Sequence, residues 1–276
     1  MSIKLTKMQG CGNDFVILEK SEFDKTGLSM EEFSKKVCDR NFGVGADGMI
    51  IPNLNVNDAD IGWYFYNSDG STAQMCGNGM RCFAKYVYDK GLVKSKNFSV
   101  KTQAGIIKPE ILDEGLVRVN MGKPILEYEN IPFKGELKIK ILDKEFDIFP
   151  ISMGNPHCVI FVDDNPLEYA KKYGPMVECH PFFPEKTNTE FVKIISKNEV
   201  DMCVYERGCG ITLACGTGAC ATLVACVFNN LTESNIKVNL LGGPVNIEWN
   251  GKIGDLRHDI FLTGPSKYSF DANFFL

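Results

Sequence analysis

The sequence predicts an α+β protein of two similar domains, and three observations point that way. Short runs with apolar residues at alternate positions outnumber helical stretches. The stretch QMCGNGMRCF at 74–83 returns in altered form as LACGTGACAT at 213–222, one copy in each half. At 276 residues the chain also has room for two domains of roughly 150 residues each.

The strand signals are IGWYFYN (61–67), LVRVNM (116–121), LKIKIL (137–142), EVDMCVYE (199–206) and IKVNLL (236–241), all with the period of half-buried strands. Helical signals are fewer. SMEEFSKKVCDR opens with Ser29 three residues before Glu32, the spacing of a capping box, and puts Met30, Phe33 and Val37 on one face. A second helix is expected from Gly77 or Asn78 to Lys90, closed by Gly91, and a third from Gly216 to about Asn229; both start at the repeated motif. A shorter one is expected over 165–172. Arg81 and Lys85, one turn apart, are expected on a solvated face.

Aligning the halves on Cys76 and Cys215 brings other residues into step. Tyr66-Asn67 and Tyr205-Glu206 both stand ten and nine positions before their cysteine. Gly12-Asn13 and Gly154-Asn155 also correspond: Asn13 precedes Cys76 by 63 positions and Asn155 precedes Cys215 by 60. This spacing is that of an internal duplication of large units, not of a short-period solenoid. The Gly- and Pro-containing stretch 120–136 is the expected boundary, dividing the chain into 1–120 and 121–263.

Composition excludes several classes. The net charge of -5 and pI near 5.4, without a long basic run, argue against nucleic acid or an anionic membrane as partner and favour a small soluble ligand. No signal-peptide h-region and no run of eighteen apolar residues occurs, so a cytoplasmic protein without a membrane span is expected. The eleven cysteines include no C-x-x-C pair, and with only His157, His180 and His258 beside them no zinc-finger spacing arises. No metal site is expected, and most of these cysteines read as small buried hydrophobes.

GVGADG at 43–48 matches G-x-G-x-x-G, but a helical stretch precedes it and the apolar MIIPN follows where a helix should start, so a dinucleotide site is not expected. No P-loop and no G-x-S-x-G elbow is present.

The paired cysteine motifs fit another chemistry. A cysteine immediately before a helix lies near backbone N–H groups and the positive end of the helix dipole, a setting expected to favour thiolate. The adjacent glycines let a substrate approach the main chain, whose N–H groups suit a carboxylate. If the two halves face each other, Cys76 and Cys215 can act on one carbon from opposite sides, one taking a proton and the other returning one, which inverts a stereocentre. Helix N-termini directed at the substrate carboxylate would stabilise the carbanion, so no pyridoxal phosphate or other cofactor is required.

KMQGCGNDFV, FGVGADG, YNSDGSTAQMCGNGMRCFAKYV, VNMGKP, SMGNPHCV, EKTNTEFV and VYERGCGITLACGTGAC together resemble the diaminopimelate epimerase family over essentially the whole chain. The resemblance implies two pseudo-symmetric domains, each with β-strands wrapped around a central helix, residues 264–276 returning to the first domain, and an active site in the interdomain cleft. It implies a homodimer that interconverts LL- and meso-2,6-diaminopimelate for lysine and peptidoglycan synthesis. Cys76 and Cys215 are then the acid/base pair, with His157 and Glu206 tuning the thiols. Gly77, Asn78, Gly216 and Thr217 bind the reacting carboxylate, and Asn13, Asn67, Asn155, Asn188, Glu206 and Arg207 complete the substrate site. Arg207 suits a distal carboxylate and Glu206 an ammonium. Some members carry glutamine where this chain has Gly48, and Asp47 beside it reads equally as a turn residue. Cys11, Cys82, Cys209 and Cys220 flank the motifs without an assigned role.

Three alternatives stay open on the sequence: a racemase of another amino acid such as histidine or proline, a thiol-redox protein marked by a reversible Cys76–Cys215 disulfide, and a non-catalytic binding module.

Overall fold

The computed structural model of the chain describes residues 1–72 and 75–276; Ala73 and Gln74, within the first motif stretch, lie outside them. The first half runs β1 (Ser2–Gly10), β2 (Asn13–Ile17), α1 (Lys20–Asp24), α2 (Met30–Cys38), β3 (Gly48–Asn53), β4 (Ile61–Asn67), α3 (Gly77–Asp89), β5 (Val100–Thr102), β6 (Gly105–Ile107), β7 (Glu110–Ile111) and β8 (Leu116–Asn120). The second runs β9 (Lys138–Ile141), β10 (Lys144–Asp147), β11 (Phe149–Ser152), β12 (Pro156–Phe161), α4 (Pro166–Glu178), β13 (Asn188–Ser196), β14 (Glu199–Glu206), β15 (Gly210–Ile211), α5 (Gly216–Phe228), β16 (Asn235–Leu240), β17 (Gly243–Trp249), β18 (Ile260–Pro265) and β19 (Lys267–Phe275). The chain divides into two compact units, Met1–Val119 with Gly264–Leu276, and Asn120–Thr263.

In the first unit a sheet runs in the order β19-β1-β2-β3-β4-β5-β6. From β1 to β6 the successive pairs are antiparallel, parallel, antiparallel, parallel, antiparallel. In the second unit β11-β12-β13-β14-β16-β17 repeats the same series, and β18 adds antiparallel to β17. Each parallel pair needs a crossover, and helices supply it at matching places. α2 links β2 to β3 as α4 links β12 to β13, and α3 links β4 to β5 as α5 links β14 to β16. The duplication seen in the sequence is therefore present in the topology.

Within each unit the motif helix is the inner element. α3 packs on β1, β2 and β3, and α5 on β11, β12, β13, β16 and β17. The other sheet face of the first unit carries Ile3, Leu5, Val16, Leu18, Met49 and Ile51 under α1 and α2, as the period-2 alternation requires. α2 starts at the expected capping box: Ser29 Oγ accepts from Glu32 N at 3.2 Å and Glu32 Oε2 from Ser29 N at 2.9 Å. GVGADG sits between α2 and β3 and leads into a strand.

Two expectations are corrected. Arg81 is 0% exposed, donating through Nε to Pro265 O at 3.2 Å and through Nη2 to Cys11 Sγ at 3.8 Å. Lys85 is partly covered and pairs with Asp89 at 2.8 Å. Enclosure of α3 by strands leaves it no broad solvated face, so charge alone misplaces these two. The helix expected over 165–172 runs to Glu178, through Pro175. Burial of Ala170, Tyr173 and Val177 against the second core outweighs the local break at proline.

Burial also sets a pH dependence. Cys38, Cys82 and Cys226 are each pushed up to about 12, chiefly by desolvation. The unfolded chain ionises these thiols near the ordinary 9.0, whereas the folded chain keeps the protons to about 12. Their contribution to stability is complete below the first value and is lost as pH rises through the second. Under reducing conditions the melting temperature is expected to hold up to that first value and to fall steadily above it. A constant melting temperature across the interval would exclude this effect.

Candidate active site

Both motif cysteines are N-caps. Cys76 precedes α3 with φ -137° and ψ 112°, and Cys215 precedes α5 with φ -121° and ψ 108°. This extended geometry turns each sulfur back over the first turn. Cys76 Sγ accepts from Gly79 N at 3.4 Å, and Cys215 Sγ accepts from Gly218 N at 3.4 Å. The same contact in both copies is the N-cap pattern with sulfur in place of oxygen.

Around Cys76 the first unit gathers Asn13 and Asn78. Asn13 Oδ1 lies 3.9 Å from Cys76 Sγ and accepts from Asn78 Nδ2 at 3.1 Å. Asn13 enters from a two-residue turn in which Cys11 has φ 53° and Gly12 φ 83°, the left-handed pair that closes the β1–β2 hairpin. Its amide nitrogen donates to Asp47 Oδ2. Asp47 in turn accepts from Asp14 N at 3.0 Å and pairs with Arg40 at 2.7 Å. Asp47 is thus an anchor for Asn13 as well as a turn residue. Asn67 donates through Nδ2 to Ser71 Oγ at 2.9 Å. Gly77 is buried in the first turn of α3.

The second unit gathers more of the expected residues. Thr217 Oγ1 lies 3.5 Å from Cys215 Sγ, Asn155 Nδ2 donates to that hydroxyl at 3.4 Å, and His157 Nε2 lies 3.0 Å from Asn155 Oδ1. Gly216 is buried in the first turn of α5. Asn188 donates to Pro156 O at 2.8 Å and accepts from Arg207 N at 3.0 Å, tying β12 to the turn after β14. Thr212 Oγ1 donates to Glu206 Oε1. Arg207 is exposed, with Nη1 on Glu185 O at 3.3 Å.

The expectation of a thiolate-favouring site is reversed at Cys215. Burial pushes this thiol well up, the Glu206 and Glu190 carboxylates add to the rise, and the Thr217 hydroxyl and Gly218 N–H only partly oppose it. Desolvation outweighs one N–H and a helix end because the sulfur is almost sealed from water. Sequence reasoning missed Glu190, which is 0% exposed with Oε1 2.7 Å from His157 Nδ1. Its signal was a carboxylate directly before the apolar pair Phe191-Val192 in a strand-like run. Among the described residues no cluster of three or more His, Cys, Asp or Glu could hold a metal, and no helix is long and apolar enough to cross a membrane.

A family model described as Diaminopimelate epimerase matches residues 5–127 and 149–268. The chain belongs to the diaminopimelate epimerase family. It is 43% identical over 279 residues to the diaminopimelate epimerase of Heliobacterium modesticaldum, covering 96% of each chain. It is 44% identical over 286 residues to that of Desulforapulum autotrophicum, covering 98% of each. Among solved structures the fold is shared with a Bacillus anthracis phenazine biosynthesis protein of the PhzF family, at TM-score 0.71, 14% identity and full coverage of both chains. It is also shared with a hydroxyproline epimerase from Agrobacterium vitis, at TM-score 0.69 and 12% identity, covering 99% of this chain and 92% of that one. Diaminopimelate epimerase family membership therefore rests on sequence, and the α+β architecture of two sheet-rich, similar halves is common to these more distant proteins.

Proposed function

We propose that this chain interconverts LL- and meso-2,6-diaminopimelate without a cofactor, using Cys76 and Cys215 as acid and base. The observation that carries this is the twice-built N-cap: in each unit a cysteine sulfur sits over the first turn of the inner helix, 3.4 Å from the N–H of the third residue on. Inversion requires a thiolate to take the α-proton while the electron pair moves toward the adjacent carboxylate. The opposite thiol then gives its proton to the other face of the carbon and is left as thiolate. The two sulfurs end with exchanged protonation states. Cys215, held protonated by burial in the free chain, suits the proton-giving role first.

The N–H groups of Gly77, Asn78, Gly216 and Thr217 suit the reacting carboxylate, whose negative charge grows as the carbanion forms. Asn13 and Asn155 each stand in hydrogen-bonded reach of their cysteine cluster and serve to orient the α-amino acid end. Asn67 and Asn188 complete the polar lining, while Glu206 and Arg207 meet the distal ammonium and carboxylate. His157 and Glu206 tune the thiols. The product would serve lysine and peptidoglycan synthesis in the cytoplasm. A homodimer is part of the same proposal, supported by the edge strand β19, which exposes Tyr268, Phe270 and Phe275.

The test is incubation of metal-free, pyridoxal-free protein with LL-diaminopimelate in heavy water. Deuterium is expected at one α-carbon together with conversion to the meso isomer. Exchange only with proline or hydroxyproline would keep the mechanism and move the substrate; no exchange with any amino acid would end the proposal.

A further inference from the structure

Glu190 lies on β13 two residues past Asn188, the register partner of His157, so Glu190 and His157 project from the same side of adjacent parallel strands. Both are 0% exposed. His157 Nδ1 is 2.7 Å from Glu190 Oε1 and Nε2 is 3.0 Å from Asn155 Oδ1, so both ring nitrogens face oxygens. An ionised carboxylate and an amide oxygen only accept, and two accepting partners call for two N–H donors, the imidazolium form. Negative charge on Glu190 is favoured from a second direction. An added Cβ at Gly218 would fall 2.6 Å from Oε1, so the carboxylate lies against the first turn of α5, where helix dipoles favour an anion.

We propose that Glu190 is a positioning residue for Cys215: it holds His157 as the imidazolium, which fixes the Asn155 amide and through it the Thr217 hydroxyl. With Oδ1 taken by the imidazolium, Asn155 turns Nδ2 to Thr217 Oγ1 at 3.4 Å. The hydroxyl hydrogen of Thr217 is then left to face Cys215 Sγ at 3.5 Å. The hydrogen bonds run in one direction and end at the sulfur, which steadies the thiolate formed once Cys215 has given up its proton. The charged groups acting on Cys215 are Glu206 from β14 and Glu190 from β13, and Glu190 also acts on Cys158 beside His157.

The role at Cys215 rests on the two-thiol function proposed above; the charge state of His157 does not. The full chain labelled with nitrogen-15 histidine gives three ring systems, His157, His180 and His258, the last two assigned through His180→Gln and His258→Gln. At neutral pH His157 is expected to carry two protonated nitrogens in the wild type and in Glu190→Asp, and one in Glu190→Gln. In Glu190→Gln, kcat is expected to fall at least about tenfold and its alkaline limb to move to lower pH, which a merely structural role would not produce. A single protonated nitrogen in wild-type His157 overturns the proposal, even if the variants fail to fold. Two protonated nitrogens in Glu190→Gln overturn it equally. Full turnover in Cys215→Ser would instead sink the two-thiol function, while the histidine spectrum still decides the Glu190 pairing.

Discussion

Cys76→Ser and Cys215→Ser are each expected to lower interconversion of the diaminopimelate isomers by at least about a thousandfold, within the range that general acid–base groups supply. An alcohol is far too weak an acid to stand as the anion at neutral pH, so neither proton transfer keeps its group. The fold should not suffer. Serine is among the preferred N-cap residues, and its oxygen can take the N–H of Gly79 or Gly218 that the sulfur now accepts. Melting temperatures close to the wild type, with turnover gone in both variants, separate chemistry from stability. More than a tenth of wild-type turnover in either variant would remove that cysteine from the mechanism.

The second large effect is an asymmetry between two equivalent glycines. Gly79 and Gly218 occupy the same place, three residues after each cysteine, and alanine in a helix interior is worth about 1 kcal/mol over glycine. At Gly79 an added Cβ would meet Phe15 at 3.4 Å and Cys76 Sγ at 3.5 Å, ordinary contacts, so Gly79→Ala should be neutral or slightly stabilising. At Gly218 it would lie 2.6 Å from Glu190 Oε1 and 3.2 Å from Cys215 Sγ. Glu190 is buried and held by His157, so it cannot swing away cheaply. Gly218→Ala is expected to cost about 1–3 kcal/mol, the usual range for overpacking, and to reduce turnover sharply by displacing the carboxylate and the sulfur together. Chemical denaturation of the two variants side by side checks it; equal stabilities would show that the Glu190 side of α5 yields.

Much of this was readable in the chain. The strands at 61–67 and 199–206, the capped helix at Ser29 and both motif helices follow from periods and caps, which are local properties. So is the duplication, because a repeated C-G-x-G with partners at fixed offsets survives as sequence. Those offsets also paired Asn13 with Asn155, and each lies in the hydrogen-bonded cluster at its motif cysteine.

What the sequence could not give depends on enclosure. Arg81 looked like a surface charge until strands surrounded α3, and Pro175 looked like a stop until α4 was packed on the second core. The helix-start setting of Cys215 suggested a thiolate, yet desolvation and two carboxylates from other strands reverse the balance. Glu190 is 25 positions from Cys215 in the chain, and only strand pairing and the bare Cα of Gly218 bring its carboxylate to the sulfur's side. The sequence by itself determined that a cysteine motif comes twice, each time at the start of a helix, since motif and period are written locally. Tertiary structure alone decided that the Cys215 thiol is raised, because the energy of a charge depends on what lies around it and not on what lies beside it in the chain.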